Sequence, residues 1–155
     1  MATLTTSFVS WRWMTKEDMP VVVKMEKQSE HENPWTDEIF YRYLGRRSRG
    51  VMLAIEGKKI VGYIAFDLAK KRALVANMLV AKPFRRRGIG SFLFDKLAEG
   101  LKKKKVFTHL EIYIRESDLA SQIFLRAAKF RCENIVPTLF DLPPEAGYHF
   151  RRALT

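Results

Sequence analysis

The sequence predicts an α+β fold, with a mixed, mostly antiparallel central sheet of about seven strands flanked by four helices. Three observations predict it. Residues 9–14, 51–56, 60–68 and 72–80 are short apolar runs of strand length. The last three are separated only by Gly57-Lys58-Lys59 and Ala69-Lys70-Lys71, two short turns that make an antiparallel meander. The apolar spacing then becomes helical from about Gly90 to Lys105 and returns to a strand at Thr108–Ile114. Such a strand–helix–strand crossover makes the strands before and after it parallel.

The remaining elements follow in order. Val9 to Met14 is a first strand, with Trp11 and Trp13 on one face and Ser10 and Arg12 on the other. Thr15-Lys16-Glu17-Asp18 reads as a helix N-cap with acidic residues in the first turn. Val21, Val22 and Met25 give that helix its buried stripe, and Pro20 falls early, where a helix tolerates it. Asn33-Pro34 marks a loop. Thr36-Asp37-Glu38 starts a second helix with Ile39, Phe40, Tyr43 and Leu44 apolar and Gly45 as its stop. Beyond the crossover, Ser117 or Asp118 caps a fourth helix with Leu119, Ile123, Phe124 and Ala127 inward. Phe130–Val136 is a sixth strand, Pro143–Gly147 a loop, and Tyr148–Leu154 a closing strand.

The 155 residues suffice for one domain, 1–155, with one sizeable core. Apolar residues at 47% and aromatics at 12% exclude a disordered chain. No apolar run approaches the roughly 18 residues of a membrane span. Met1–Ser7 lacks the basic start and apolar stretch of a secretory leader. One cysteine, Cys132, cannot form an internal disulfide, so a cytoplasmic location is expected. With no histidine near it in sequence, Cys132 reads as a core or strand residue, not a nucleophile. The net charge of +11 favours anionic partners: a phosphorylated cofactor, nucleic acid, the ribosome or an acidic peptide. Lys102–Lys105 reads as a solvated helix end, where cations suit the dipole. The loop Arg46-Arg47-Ser48-Arg49 is either a soluble basic loop or a contact for an acidic acceptor or RNA.

The most informative stretch is Val80-Ala81-Lys82-Pro83-Phe84-Arg85-Arg86-Arg87-Gly88-Ile89-Gly90-Ser91, which joins a strand to a helix. Glycines allow positive φ and close approach, and the helix start contributes unpaired N–H groups and partial positive charge. The combination suits a phosphate or pyrophosphate. It is not a Walker loop, because no Lys-Ser/Thr pair follows Gly90. It is not a dinucleotide fingerprint either, because the third glycine is missing. What remains is Arg-x-x-Gly-x-Gly at Arg85, Gly88 and Gly90, after a strand ending Met78-Leu79-Val80.

That pattern resembles the acetyl-CoA pyrophosphate loop of the GNAT acyltransferases. Within that superfamily the chain is most similar to the bacterial N-terminal acetyltransferases of the ribosomal-protein alanine type. The order β, α, α, three β, α, β, α, β, β matches the family's fold. The resemblance implies acetyl-CoA as cofactor, with CoA as product. It implies that Arg85, Arg86, Arg87, Gly88, Ile89, Gly90 and Ser91 hold the pyrophosphate. The main chain of Met78, Leu79 and Val80 then pairs with the pantetheine arm as an added strand would, and can polarise the thioester carbonyl.

Residues Arg115 to Phe130 resemble the family's second motif, Arg-x-Ser-Asn followed by Ala, Tyr and Gly-Phe. Asp118 stands where the family's Asn contacts the cofactor arm. Three departures matter. Leu125 replaces the tyrosine that protonates the leaving thiolate, Lys129 replaces the glycine, and Tyr113 replaces the glutamate base of the alanine-type enzymes. Glu111 lies two residues before Tyr113 and shares its strand face. Glu111 as proton relay and Tyr113 as a phenol near the thioester are therefore the candidate catalytic pair, in a direct-attack transfer helped by proximity. The plainer readings are a solvent-facing carboxylate and a strand aromatic. By family position Trp35, Ile39, Arg46, Arg47, Leu139, Phe140 and Tyr148 line the acceptor groove.

The expected reaction is transfer of acetyl to a primary amine, either a protein or peptide N-terminus or a small-molecule amine, by a monomer or homodimer with no membrane contact. No metal site is expected. The alternatives are a weak or inactive protein of the same fold that binds RNA or the ribosome, or one that senses acyl-CoA. Against RNA binding, the sequence shows no stacking aromatics interleaved with its basic clusters.

Overall fold

The strands hydrogen-bond in the order β1-β2-β3-β4-β5-β7-β6 in a computed structural model that describes residues 8–155. They are β1 (Val9–Trp13), β2 (Arg49–Glu56), β3 (Lys59–Ala69), β4 (Arg72–Val80), β5 (His109–Arg115), β6 (Arg131–Asp141) and β7 (Pro144–Ala153). The helices are α1 (Met19–Lys27), α2 (Asp37–Tyr41), α3 (Ile89–Lys103) and α4 (Leu119–Ala127). The stretch Met1–Ser7, whose sequence lacks the pattern of a secretory leader, lies outside the described residues. Among the described residues no helix is long and apolar enough to cross a membrane.

The turn signals lie where sequence puts them. Gly57 takes φ +64 in the β2–β3 turn and Lys70 takes φ 56 in the β3–β4 turn. β4 runs parallel to β5 from Arg72↔His109 to Val75↔Ile112. β5 pairs antiparallel with β7 over seven positions, His109↔Ala153 to Arg115↔Gly147. The chain divides into two compact units: Met1–Ala65 with Asn77–Leu93, and Phe66–Ala76 with Phe94–Thr155.

In the first unit the core is Met14, Val22, Phe40, Val51, Leu53, Ile55, Tyr63, Ala65 and Leu79. The α1 stripe is narrower than sequence suggests. Val22 is buried and Met25 packs against the core, but Val21 is 46% exposed, one step of about 100° off the buried line. Thr36 caps α2 by accepting from the Ile39 N–H, and Gly45 closes the following turn at φ +62. Trp11 and Trp13 share a face of β1 as expected, edge to face at 5.3 Å, but that face is open to solvent.

Asp18 ties β1 to α1. Its carboxylate accepts from both terminal nitrogens of Arg12 at 2.6 and 2.7 Å, and from the Thr15 N–H at 2.8 Å. The hydrogen bond from Arg12 leads in lowering its pKa to about 2, against burial, which raises it. A depressed carboxyl adds stability that is complete above its ordinary value and is lost as pH falls through the folded value. Asp18→Asn is expected to cost about 1 kcal/mol at pH 7, a modest figure because Arg12 is half exposed and water screens the pair. Urea unfolding at pH 7 and pH 2 checks this. A deficit of the same size at both values would rule out the carboxylate as its source.

In the second unit Phe94 sits 4.8 Å from Phe130 and 5.9 Å from Phe124, ring centroid to ring centroid. Asp118 caps α4, as one of the two expected caps: Oδ1 accepts from the Ser121 N–H at 3.1 Å and Oδ2 from the Ser121 hydroxyl at 2.6 Å. The inward face of α4 differs from expectation. Leu119 and Ile123 are 64% and 62% exposed, Ala127 is exposed, and Leu125 and Ala128 are buried. Apolar residues occupy too much of this helix circumference for spacing to fix its phase. β6 runs five residues beyond its expected end, with register shifts after Cys132 and Val136. The expected loop Pro143–Gly147 is mostly strand, because β7 begins at Pro144. Cys132 is an exposed strand residue, not a core one.

Candidate active site

The first unit carries the arginine–glycine corner. β4 ends at Val80, and the Ala81 N–H donates to the Val61 carbonyl at 2.9 Å. A 3-10 turn, Lys82–Phe84, then leads into Arg86 at φ 63 and Gly88 at φ 80. Left-handed residues alternating with ordinary ones turn successive N–H groups to one side, which makes an anion-binding concavity. α3 starts at Ile89, so Ile89, Gly90 and Ser91 bring first-turn N–H groups to the same corner. Ile89 is buried and anchors this helix start.

The three arginines have different jobs. Arg85 Nε donates to the Val80 carbonyl at 3.0 Å, fastening the corner to its strand. Arg87 lies over the Phe84 ring at 5.2 Å and 3.8 Å from the Glu56 carboxylate. Arg86 is exposed and has no ion pair among those described. Upstream, a Cβ on Gly62 would stand 2.9 Å from the Leu79 carbonyl, so glycine there permits close approach of β3 to the end of β4. The β4–β5 register ends at Val75, which leaves Met78, Leu79 and Val80 outside that ladder. These features fit a coenzyme with a diphosphate and an amide-bearing arm.

The same unit holds a polar cluster that sequence does not reveal. Glu26 of α1 is fully buried. Its Oε1 lies 2.8 Å from His31 Nδ1 and accepts from the Trp35 N–H and Asn77 Nδ2, each at 3.2 Å. Its Oε2 accepts from the Tyr63 hydroxyl. Asn77 Oδ1 in turn accepts from the Met78 N–H at 2.8 Å, which links the cluster to the candidate coenzyme strand. The expected acceptor residue Trp35 packs on Phe40 and Tyr43 beside it, and Arg46 is exposed on the basic loop.

The second unit carries the expected catalytic pair. Glu111 is not the solvent-facing carboxylate of the plainer reading: it is 5% exposed. Arg72 donates to Oε2, and His109 Nε2 lies 2.9 Å from Oε1. Burial pushes its carboxyl up, but the hydrogen bonds from Arg72 and His109 and the nearby charges outweigh burial and hold it below its ordinary value. This setting keeps a carboxylate ionised and paired; a relay needs a value nearer the working pH. Tyr113 stacks on its cross-strand neighbour His149 at 4.6 Å. Leu125 is 1% exposed, so the family's acid position is core here. The Asp118 carboxylate is engaged in its helix cap.

The β6–β7 hairpin is clamped from β5. Arg115 donates to the Pro143 carbonyl at 3.0 Å and the Leu142 carbonyl at 2.9 Å, and lies over the Phe140 ring at 4.4 Å. Glu145 accepts from the Ser117 N–H at 2.6 Å. Hydrogen bonding from Ser117, then from Arg115, holds its carboxyl below the usual range. Tyr148 places its hydroxyl 3.5 Å from Glu116, and its pKa is raised by burial first and by that carboxylate second. Among the described residues no cluster of three or more His, Cys, Asp or Glu could hold a metal ion.

The sequence profile of the acetyltransferase (GNAT) family matches residues 8–130. The chain is 25% identical over 108 residues to a [ribosomal protein bS18]-alanine N-acetyltransferase of Salmonella typhimurium, covering 70% of this chain and 71% of the relative. It is 27% identical over 104 residues to the enzyme of the same name from Escherichia coli, covering 67% and 68%. Among solved structures it is similar to the ribosomal-protein-S18-alanine N-acetyltransferase from Escherichia coli, with TM-score 0.83, 18% identity and 96% and 95% coverage. It is also similar to Arabidopsis thaliana NAA60 in complex with acetyl-CoA, with TM-score 0.84, 11% identity and 94% and 98% coverage.

Proposed function

The chain belongs to the acetyltransferase (GNAT) family and is an acetyl-CoA-dependent N-acetyltransferase, and from that premise we propose that its acceptor is a protein N-terminus. The observation that carries this reading is the likeness to two enzymes named for acetylating ribosomal protein bS18, over two thirds or more of each chain. The exposed Arg46 and Arg47 suit an acidic acceptor. We place the reaction in the cytoplasm, where the exposed thiol of Cys132 stays reduced. We take residues 1–155 to work as one functional domain.

In this reading the corner at Arg86–Ser91 holds the diphosphate and the Met78–Val80 main chain holds the arm. Bound acetyl-CoA supplies the activated acyl group as a thioester. The chain contributes orientation and exclusion of competing geometries. Arg85 and Arg87 brace the corner, and Tyr113 is a phenol on the outer part of β5.

A thiol-release assay against a library of peptides differing in their first residues, with small primary amines alongside, tests the proposal. Release with peptides that begin with alanine, at rates well above those with small amines, is expected. Release with small amines alone would overturn the peptide acceptor. The burial of Leu125 favours a second reading, a coenzyme sensor without transfer. Its signature is thermal stabilisation by acetyl-CoA with no thiol release from any amine.

A further inference from the structure

We propose that His31, oriented by Glu26, is the general base that takes the proton from the acceptor amine. The inference rests on N-acetyl transfer itself and not on the nature of the acceptor. Neither of the family's proton-transfer residues stands in this chain: Tyr113 replaces the glutamate, and Leu125 replaces the tyrosine with its side chain in the core. The chain does carry a different carboxylate–imidazole pair, next to the strand that takes the coenzyme arm.

Glu26 is fully buried, and among the described residues its hydrogen-bond partners are His31, Trp35, Tyr63 and Asn77, of which His31 alone can carry positive charge. In the proposed arrangement His31 Nδ1 donates to the Glu26 carboxylate across their 2.8 Å contact, which leaves the Nε2 lone pair as the proton acceptor. The His31 side chain is 37% exposed, so this imidazole reaches solvent while its orienting carboxylate does not. The Tyr63 hydroxyl, Asn77 Nδ2 and Trp35 N–H fix the carboxylate from three sides. Asn77 holds the Met78 N–H with its other end, so Glu26 and the candidate thioester strand are one side chain apart. Of the ionisable groups nearby, Tyr63 on β3 contacts Glu26 directly, Glu30 and Glu32 flank His31 in sequence, and Arg85 lies 3.9 Å from Glu30.

In the step, the amine nitrogen bonds to the acyl carbon and the carbon–sulfur bond breaks, the thiolate leaving with the electron pair. His31 Nε2 takes the proton released by the nitrogen. The imidazolium so formed is stabilised by Glu26 and returns its proton to thiolate or water. Glu26, Asn77 and Tyr63 act as positioning residues.

Two measurements test the assignment. Ring ¹⁵N shifts of His31 in the protein without coenzyme are expected to show the Nδ1–H tautomer, and Glu26→Gln is expected to lose that preference. His31→Gln is expected to lower kcat with any amine the wild type accepts by about 100-fold, with coenzyme affinity kept. It should also remove the imidazole limb from the pH profile, and His31→Ala should regain rate when free imidazole is added. An Nε2–H tautomer in the wild type, a His31→Gln rate within about twofold of wild type, or a lost rate that imidazole leaves unrestored would each overturn the proposal. The identity of the acceptor is read from wild-type rates alone, so the peptide proposal can fail while this one stands.

Discussion

Gly88→Val is expected to weaken acetyl-CoA binding by about tenfold to 100-fold while the protein stays folded. Gly88 sits at φ +80, a region a β-branched residue almost never adopts. Apart from its immediate chain neighbours, nothing lies within 4 Å of where its Cβ would stand, so the penalty comes from backbone strain and not from a clash with the surroundings. Strain of this kind costs about 1–3 kcal/mol. The corner can relieve it by rotating, which would turn its N–H groups away from the diphosphate. At 1.4 kcal/mol per factor of ten, that loss gives the stated range. Gly88→Ala should fall in the same direction by less. Calorimetric titration with acetyl-CoA, beside a thermal melt, reads both quantities. Wild-type affinity in a well-folded Gly88→Val protein would remove the corner from the coenzyme site.

Glu111→Gln is expected to destabilise the protein by about 3 kcal/mol, the low end of the range for breaking a buried pair by removing one partner. The low end is appropriate because Arg72 is 40% exposed and partly screened, whereas Glu111 is 7% exposed at its side chain. The substitution leaves Arg72 without its counter-charge and His109 without its carboxylate partner. The pH dependence has a definite sign. A carboxyl held below its ordinary value contributes stability above that value and loses it as pH falls through the lowered one. The gap between wild type and Glu111→Gln should therefore be full at pH 7 and close in acid. Urea unfolding of the wild type, Glu111→Gln, Arg72→Met and the double variant isolates the pair. Additive single effects would show that the ion pair contributes nothing beyond its parts. Loss of kcat in Glu111→Gln without loss of stability would restore this carboxylate to the chemistry.

The parts of this chain legible in advance are those specified by neighbours in sequence. The β2–β3–β4 meander follows from alternation and two turn signals, and the corner follows from Arg85, Gly88 and Gly90 standing between a strand and a helix. The illegible parts depend on distant partners. Glu26 reads as an ordinary helix carboxylate until Tyr63 and Asn77, 37 and 51 residues away, close around it. His31 sits in a polar loop with nothing local to single it out. Glu111 reads as an outer-face residue because Arg72, 39 positions earlier, is what makes its burial tolerable. The phase of α4 fails for another reason: with Leu119, Ile123, Phe124, Leu125, Ala127 and Ala128 all apolar, more than one face could turn inward, and packing chooses.

The placement of the aromatic and thiol side chains has an experimental use. All three tryptophans, Trp11, Trp13 and Trp35, belong to the first unit, and the lone thiol, Cys132, is exposed on the second. Indole emission therefore tracks the half that bears the arginine–glycine corner, and a maleimide dye attaches only to the other half. With an acceptor dye on Cys132, resonance energy transfer from the indoles becomes a ruler between the halves. It needs no engineered mutation, and it can be read as coenzyme is titrated in.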